Sequence, residues 1–244
     1  MASSELIWRS ATRVHEWLHG DFPDRLLAVA REAGVMGRAD RMEASTLTST
    51  RPRKLKESDV AAALAAERAA DRGSVHLSAW GSEPRPWSAF ITLFPVDEGT
   101  GRVAGISIIN LHPPAADWAG ERASAALMRA FRAAHSPDDT EFAEIHPWEH
   151  LRRLRDGAHR DPLVNSPMLT GATWAAFLGP AHLAEFDLDR LRPVAATAWR
   201  HEWVDGDRGL FLFAGPDVGA METAEGEAEI ARLTEALRGA LRSP

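Results

Sequence analysis

Cysteine is absent from the 244 residues. That removes disulfides, zinc-thiolate sites, iron-sulfur clusters and cysteine nucleophiles together, so a metal site would need histidine and carboxylate. No run of about 18 apolar residues occurs, which excludes a spanning helix. The opening MASSELIWRS lacks the basic start and apolar core of a secretory signal, so the expectation is a cytoplasmic protein with no membrane partner. Lysine is nearly missing: it occurs only as Lys54 and Lys56, beside abundant arginine and alanine, as a GC-rich genome produces. Excess positive charge is lacking too. The net charge of -7 argues against general nucleic-acid binding, which needs a positive surface.

What is present is ordinary for a globular chain: 45% hydrophobic and 26% charged residues, and enough length for one large domain or two smaller ones. Apolar spacing predicts a first helix over Leu6 to Leu18 and a second from about Phe22 to Gly34, with Leu26, Leu27, Ala30 and Ala33 as its buried stripe. Val35 to Glu57 has no sustained period, and its basic cluster Arg51 to Lys56 reads as a solvated connection. A third helix is expected from Ser58 to Arg72. Three strands follow, Val75 to Gly81, Ser88 to Val96 and Val103 to Leu111, joined by turn formers and so expected to pair as an antiparallel meander.

A fourth helix runs from Asp117 or Trp118 to Ala134, Glu141 to Ile145 reads as a strand, and His146-Pro147 as a helix start. The polar, Pro-bearing stretch His159 to Pro167 is the best boundary, dividing the chain into 1–160 and 161–244, either as packed units or as one continuous domain. Beyond it come Met168 to Leu178, a short helix at Pro180 to Phe186, a hairpin over Pro193 to Gly215 and a terminal helix Thr223 to Leu241. In the hairpin, Ala195, Thr197, Trp199, His201 and Trp203 alternate with residues of a second face, and Asp205-Gly206-Asp207-Arg208-Gly209 is a turn. The fold class is α+β, a mostly antiparallel sheet covered by amphipathic helices.

Chemistry is harder to find. His146 and His150 lie four residues apart, where one helix face could offer both to a metal, with Glu149 or His159 nearby; this is the basis of a hydrolase or metal-dependent enzyme reading. The order is not HExxH, and Pro147 at a helix start explains the segment without a metal. The alternating acids of Asp205 to Gly209 suggest a calcium loop, but its twelfth position is Pro216 rather than a bidentate Glu. Gly99 to Gly105 lacks the GKS or GKT ending of a phosphate loop, and neither Ser107 nor Ser166 sits in a GxSxG elbow. No cofactor is expected.

Gly171-Ala-Thr-Trp174-Ala-Ala-Phe177-Leu178-Gly-Pro180, then His182-Leu183, Leu188 to Leu191, Val204-Asp205-Gly206 with Leu210-Phe211-Leu212, and the long last helix resemble bacterial immunity proteins of polymorphic toxin systems, immunity protein 52 type. The resemblance covers the last third of the chain. It implies a cytoplasmic, non-catalytic protein that binds and neutralises a cognate toxin. Acidic balance would suit a basic partner such as a nuclease. The residues expected to meet it are those of the hairpin edge, Arg200, Glu202, Asp205, Asp207 and Arg208. A structural subunit of a larger assembly is the remaining alternative.

Overall fold

The computed structural model describes residues 5–12, 22–46, 53–56, 62, 75–93, 105–118, 120–148 and 171–242. Its elements are β1 (Glu5–Thr12), α1 (Phe22–Glu32), β2 (Arg41–Thr46), β3 (Arg53–Leu55), β4 (Val75–Gly81), β5 (Trp87–Leu93), β6 (Gly105–Pro114), α2 (Glu121–Ala134) and β7 (Thr140–Pro147). They continue with β8 (Ala175–Leu178), α3 (Pro180–Leu183), α4 (Leu188–Ala196), β9 (Arg200–Val204), β10 (Gly209–Phe213) and α5 (Ala224–Gly239). The strands make one antiparallel sheet in the order β3-β2-β4-β5-β6-β1-β7-β8-β10-β9. The protein is α+β, as its pattern predicts.

The expected meander is there: β4, β5 and β6 pair in succession. Their alternation is read directly by burial. Leu77, Ala79, Ala89, Ile91, Ile109 and Leu111 are buried on one face, while the intervening residues point to the other. α1 and α2 cover the first face. Leu26, Leu27 and Ala30 of α1 and Leu127, Ala130, Phe131 and Ala134 of α2 are all buried, and Phe131 meets Trp8, Phe211 and Phe213. Each large side chain buried this way contributes about 1.5–3 kcal/mol. On the second face, at the β7 to β9 end, His182 of α3 stacks on Phe142 and Arg192 of α4 lies over Trp203.

β1 sits at the centre, between β6 and β7, where a first helix was expected. Leu6, Ile7, Trp8, Arg9, Ser10 and Ala11 are all buried, so both faces are covered and neither polar alternation nor a polar helical face marks the segment. Residues 13–18 of that expectation lie outside the described residues, as do nearly all of the third helix and all of the 159–167 boundary. The aperiodic Val35 to Glu57 region supplies β2 and β3. Arg53–Leu55, within the basic cluster, forms the short edge strand, with Lys54 and Lys56 exposed beside it.

The hairpin is shorter than its alternation suggests. Leu188–Ala196 is helical despite Pro193, Leu191 and Ala195 are its buried residues, and only Arg200–Val204 is strand. The terminal helix forms as expected: the Thr223 side chain accepts from the Gly226 amide, and Ile230, Leu233 and Leu237 are buried. Between the two parts of the sheet, Gly179 comes so close to β7 that a Cβ there would lie 2.2 Å from the Thr140 carbonyl oxygen. Its amide donates to the Glu141 carbonyl at 2.8 Å.

Candidate functional site

The hairpin β9–β10 ends the sheet, and among the described residues β9 has a ladder partner only on its β10 side. Its turn places Asp205, Gly206 and Asp207 at φ 50, 60 and 74, all in the left-handed region that Gly and Asp tolerate best. Gly209 is required by closeness, since a Cβ would fall 2.7 Å from the Val204 side chain and 2.9 Å from the Phe177 ring. β10 is buried along its whole length, whereas β9 is exposed at Arg200 and His201 and half-buried at Glu202, Trp203 and Val204. The hairpin is therefore a buried strand carrying an accessible one.

Three of the five residues expected at a partner edge are tied to the body. Asp207 pairs with Arg192 of α4, Glu202 pairs with Arg132 of α2, and Arg208 reaches Asp138 at 2.6 Å. The pairs reach the hairpin from both sides of the sheet. Arg192 also lies 5.0 Å from the Trp203 ring centroid, a cation–π contact. Arg200 and Asp205 are exposed. Trp199, expected on a core-facing strand, instead precedes β9 and is 47% exposed, and His201 is exposed as well. Trp199 and Phe90 are the exposed large hydrophobic residues among those described.

The metal reading fares differently. His146 is the penultimate residue of β7, which continues opposite Leu6 and Ile7 of β1, so the expected helical segment begins at Trp148 and the rest of it lies outside the described residues. It is fully buried, and its Nδ1 accepts the Trp174 amide at 2.7 Å. Glu149, His150 and His159 lie outside the described residues, and among the described residues no three His, Asp or Glu side chains are grouped to hold a metal.

Two other histidines are structural. The Trp8 indole donates to His135 Nε2 at 3.0 Å, so Nδ1 carries the proton toward the Thr140 hydroxyl at 3.3 Å. Thr140 donates to Asp139, which pairs with Arg25 of α1. Burial, with the Arg25 charge adding, pushes His135 down to about 3. His182 is pushed down to about 4 by burial, against a backbone hydrogen bond at Glu141 that raises it.

A solved structure shares this fold. The Pseudomonas aeruginosa T6SS protein PA0821 is similar over 97% of this chain and 73% of its own, with a TM-score of 0.59 and 16% sequence identity. The likeness thus extends over nearly the whole chain, beyond the C-terminal third that suggests an immunity protein. No protein-family model matches the chain, and no curated protein matches it.

A concavity not expected from the sequence lies on the second sheet face, over β5, β6 and β1. It is a groove of about 470 Å³ walled by Trp80, Phe90, Ile108 and Trp148. Across its floor His112 Nδ1 lies 3.2 Å from the Glu5 carboxylate, and His112 Nε2 lies 3.0 Å from Ser88 Oγ. Asn110 donates to the same Oγ at 3.3 Å. The signal was available in the alternation: Ser88/Phe90 and Ile108/Asn110/His112 share the face opposite the aliphatic one.

Proposed function

We propose that the chain is a non-enzymatic binding protein that holds a cognate protein partner, as an immunity or defence-associated protein holds and neutralises a toxin. The observation that carries this reading is the accessible edge strand β9, with Trp199 exposed at its start and charged residues fixed around it. An extended partner segment can add to such an edge through its main chain, while Trp199 supplies the large rigid anchor typical of binding hot spots. Ion pairs that hold Glu202, Asp207 and Arg208 reduce the ordering cost of binding. Asp205 and Arg200 remain outward to select the partner, and the net charge of -7 favours a basic one.

The T6SS protein with the same fold is compatible with a place beside a secreted toxin in the cytoplasm. The metal-dependent hydrolase alternative is weaker, because one of its two histidines uses Nδ1 on a backbone amide. Co-expression with the product of the adjacent gene tests the proposal. Stoichiometric co-purification together with suppression of that product's toxicity is the expected result; neither occurring would sink it.

A further inference from the structure

The groove between Trp80, Phe90 and Trp148 is separated from the β9–β10 hairpin by β7 and β8. We infer that it binds a cationic side chain, an arginine or lysine presented by a basic polypeptide segment. Its walls include the aromatic side chains of Trp80, Phe90 and Trp148 beside Ile108, and its lining includes Glu5, whose side chain is 49% exposed. Among the described lining residues the Arg or Lys is Arg9, already neutralised by buried Glu144 on the neighbouring strand. Asn110 adds a side-chain amide oxygen as an acceptor. This face already accepts a guanidinium: Arg41 sits 5.2 Å from the centroid of Trp80, which itself meets Phe90 edge-to-face at 6.0 Å. The groove's volume falls within the range of specific ligand pockets.

The Glu5–His112–Ser88 order also has the form of a carboxylate, imidazole and hydroxyl relay. A carboxylate only accepts, so His112 Nδ1–H points to Glu5 and Nε2 is left to accept from Ser88. Two features assign the relay to binding and not to acyl transfer. Ser88 lies inside a strand laddered to Trp80 on one side and Asn110 on the other, so neighbouring amides are committed to the sheet and do not converge on an oxyanion. The acid and the imidazole are both partly solvated, at 49% and 39% side-chain exposure.

The groove takes its cation whether or not the hairpin engages a toxin, so the test uses simple probes on the full chain. Amidated hexa-arginine is titrated by calorimetry at low salt into the wild type, Glu5→Gln, Phe90→Ala and Asp205→Asn, with hexa-glutamate as the opposite-charge control. Glu5→Gln and Asp205→Asn change net charge equally, which separates the groove from long-range attraction. Hexa-arginine should bind the wild type and Asp205→Asn alike, and bind Glu5→Gln and Phe90→Ala about threefold to tenfold more weakly; hexa-glutamate should not bind. No binding to the wild type, equal weakening by Glu5→Gln and Asp205→Asn, or unweakened binding to Phe90→Ala overturns the inference. A fluorophosphonate probe should leave Ser88 unlabelled; labelling there would overturn it in favour of acyl transfer.

Discussion

Arg192 joins Asp207 across the space between α4 and the hairpin turn, and the same guanidinium lies over Trp203. One side chain thus holds the turn and the outer strand together. It does so on a helix whose proline made it look like strand. Side chains of both partners are a third to a half exposed, so solvent screening limits the pair to about 1 kcal/mol or less. Arg192→Ala should lower stability by about 1 kcal/mol through lost pairing and stacking, and should raise amide exchange in β9 more than in β10. Thermal melts and hydrogen exchange read both effects; equal exchange in the two strands would contradict the anchoring role.

Charge reversal at Asp205 and Asp207 together should weaken partner binding without unfolding the protein. Both residues occupy the left-handed region, where Asp is better tolerated than most residues, so a modest stability loss of about 1 kcal/mol is expected from the backbone alone. Circular dichroism checks the fold and calorimetry the complex. Unchanged affinity removes the turn from the interface.

Gly179→Ala should destabilise by about 2 kcal/mol or more, because its Cβ would meet the Thr140 and Glu141 backbone rather than a movable side chain. The contact sits where β8 and α3 meet β7. Denaturant unfolding measures the loss, and a change within about 0.5 kcal/mol would show that this junction adjusts freely.

The buried histidines predict an acid-sensitive fold. Their folded values, about 3 for His135 and about 4 for His182, lie below the ordinary 6.5, so the unfolded chain binds more protons between those values and 6.5. The stabilisation is complete above about 6.5 and is lost as pH falls through that window. At pH 5 each histidine costs about 2 kcal/mol. For His135 the mechanism is visible: protonating Nε2 abolishes its acceptance of the Trp8 indole proton. Denaturant midpoints measured from pH 7.5 to 4.5 should fall, and fall less in His135→Gln; a flat profile in the wild type would contradict the assignment.

The parts legible in the sequence are those with one solvated face. β4, β5, β6, α2 and α5 carry a period that locates them in the sequence, and each forms close to its expected stretch. β1 and β7 lie where both faces are packed, so Leu6 to Ala11 carries no polar alternation, and His146-Pro147 looked like a helix start when it ends a strand. Pro193 hid α4, since a proline normally marks the end of a helix. Alternation puts Ser88, Phe90, Ile108, Asn110 and His112 on one face of their strands, but Glu5 joins them only through the strand order β5-β6-β1, which no local pattern specifies.

The central claim is that a partner docks on the β9 edge with Trp199 as its anchor. The most direct measurement is the dissociation constant of the complex with the adjacent gene product, compared between the wild type and Trp199→Ala, whose exposed side chain can be removed without opening the core. The account predicts a stoichiometric wild-type complex, weakened at least about tenfold in the variant at unchanged thermal stability. An equally tight complex in both proteins, or no complex in either, would contradict it.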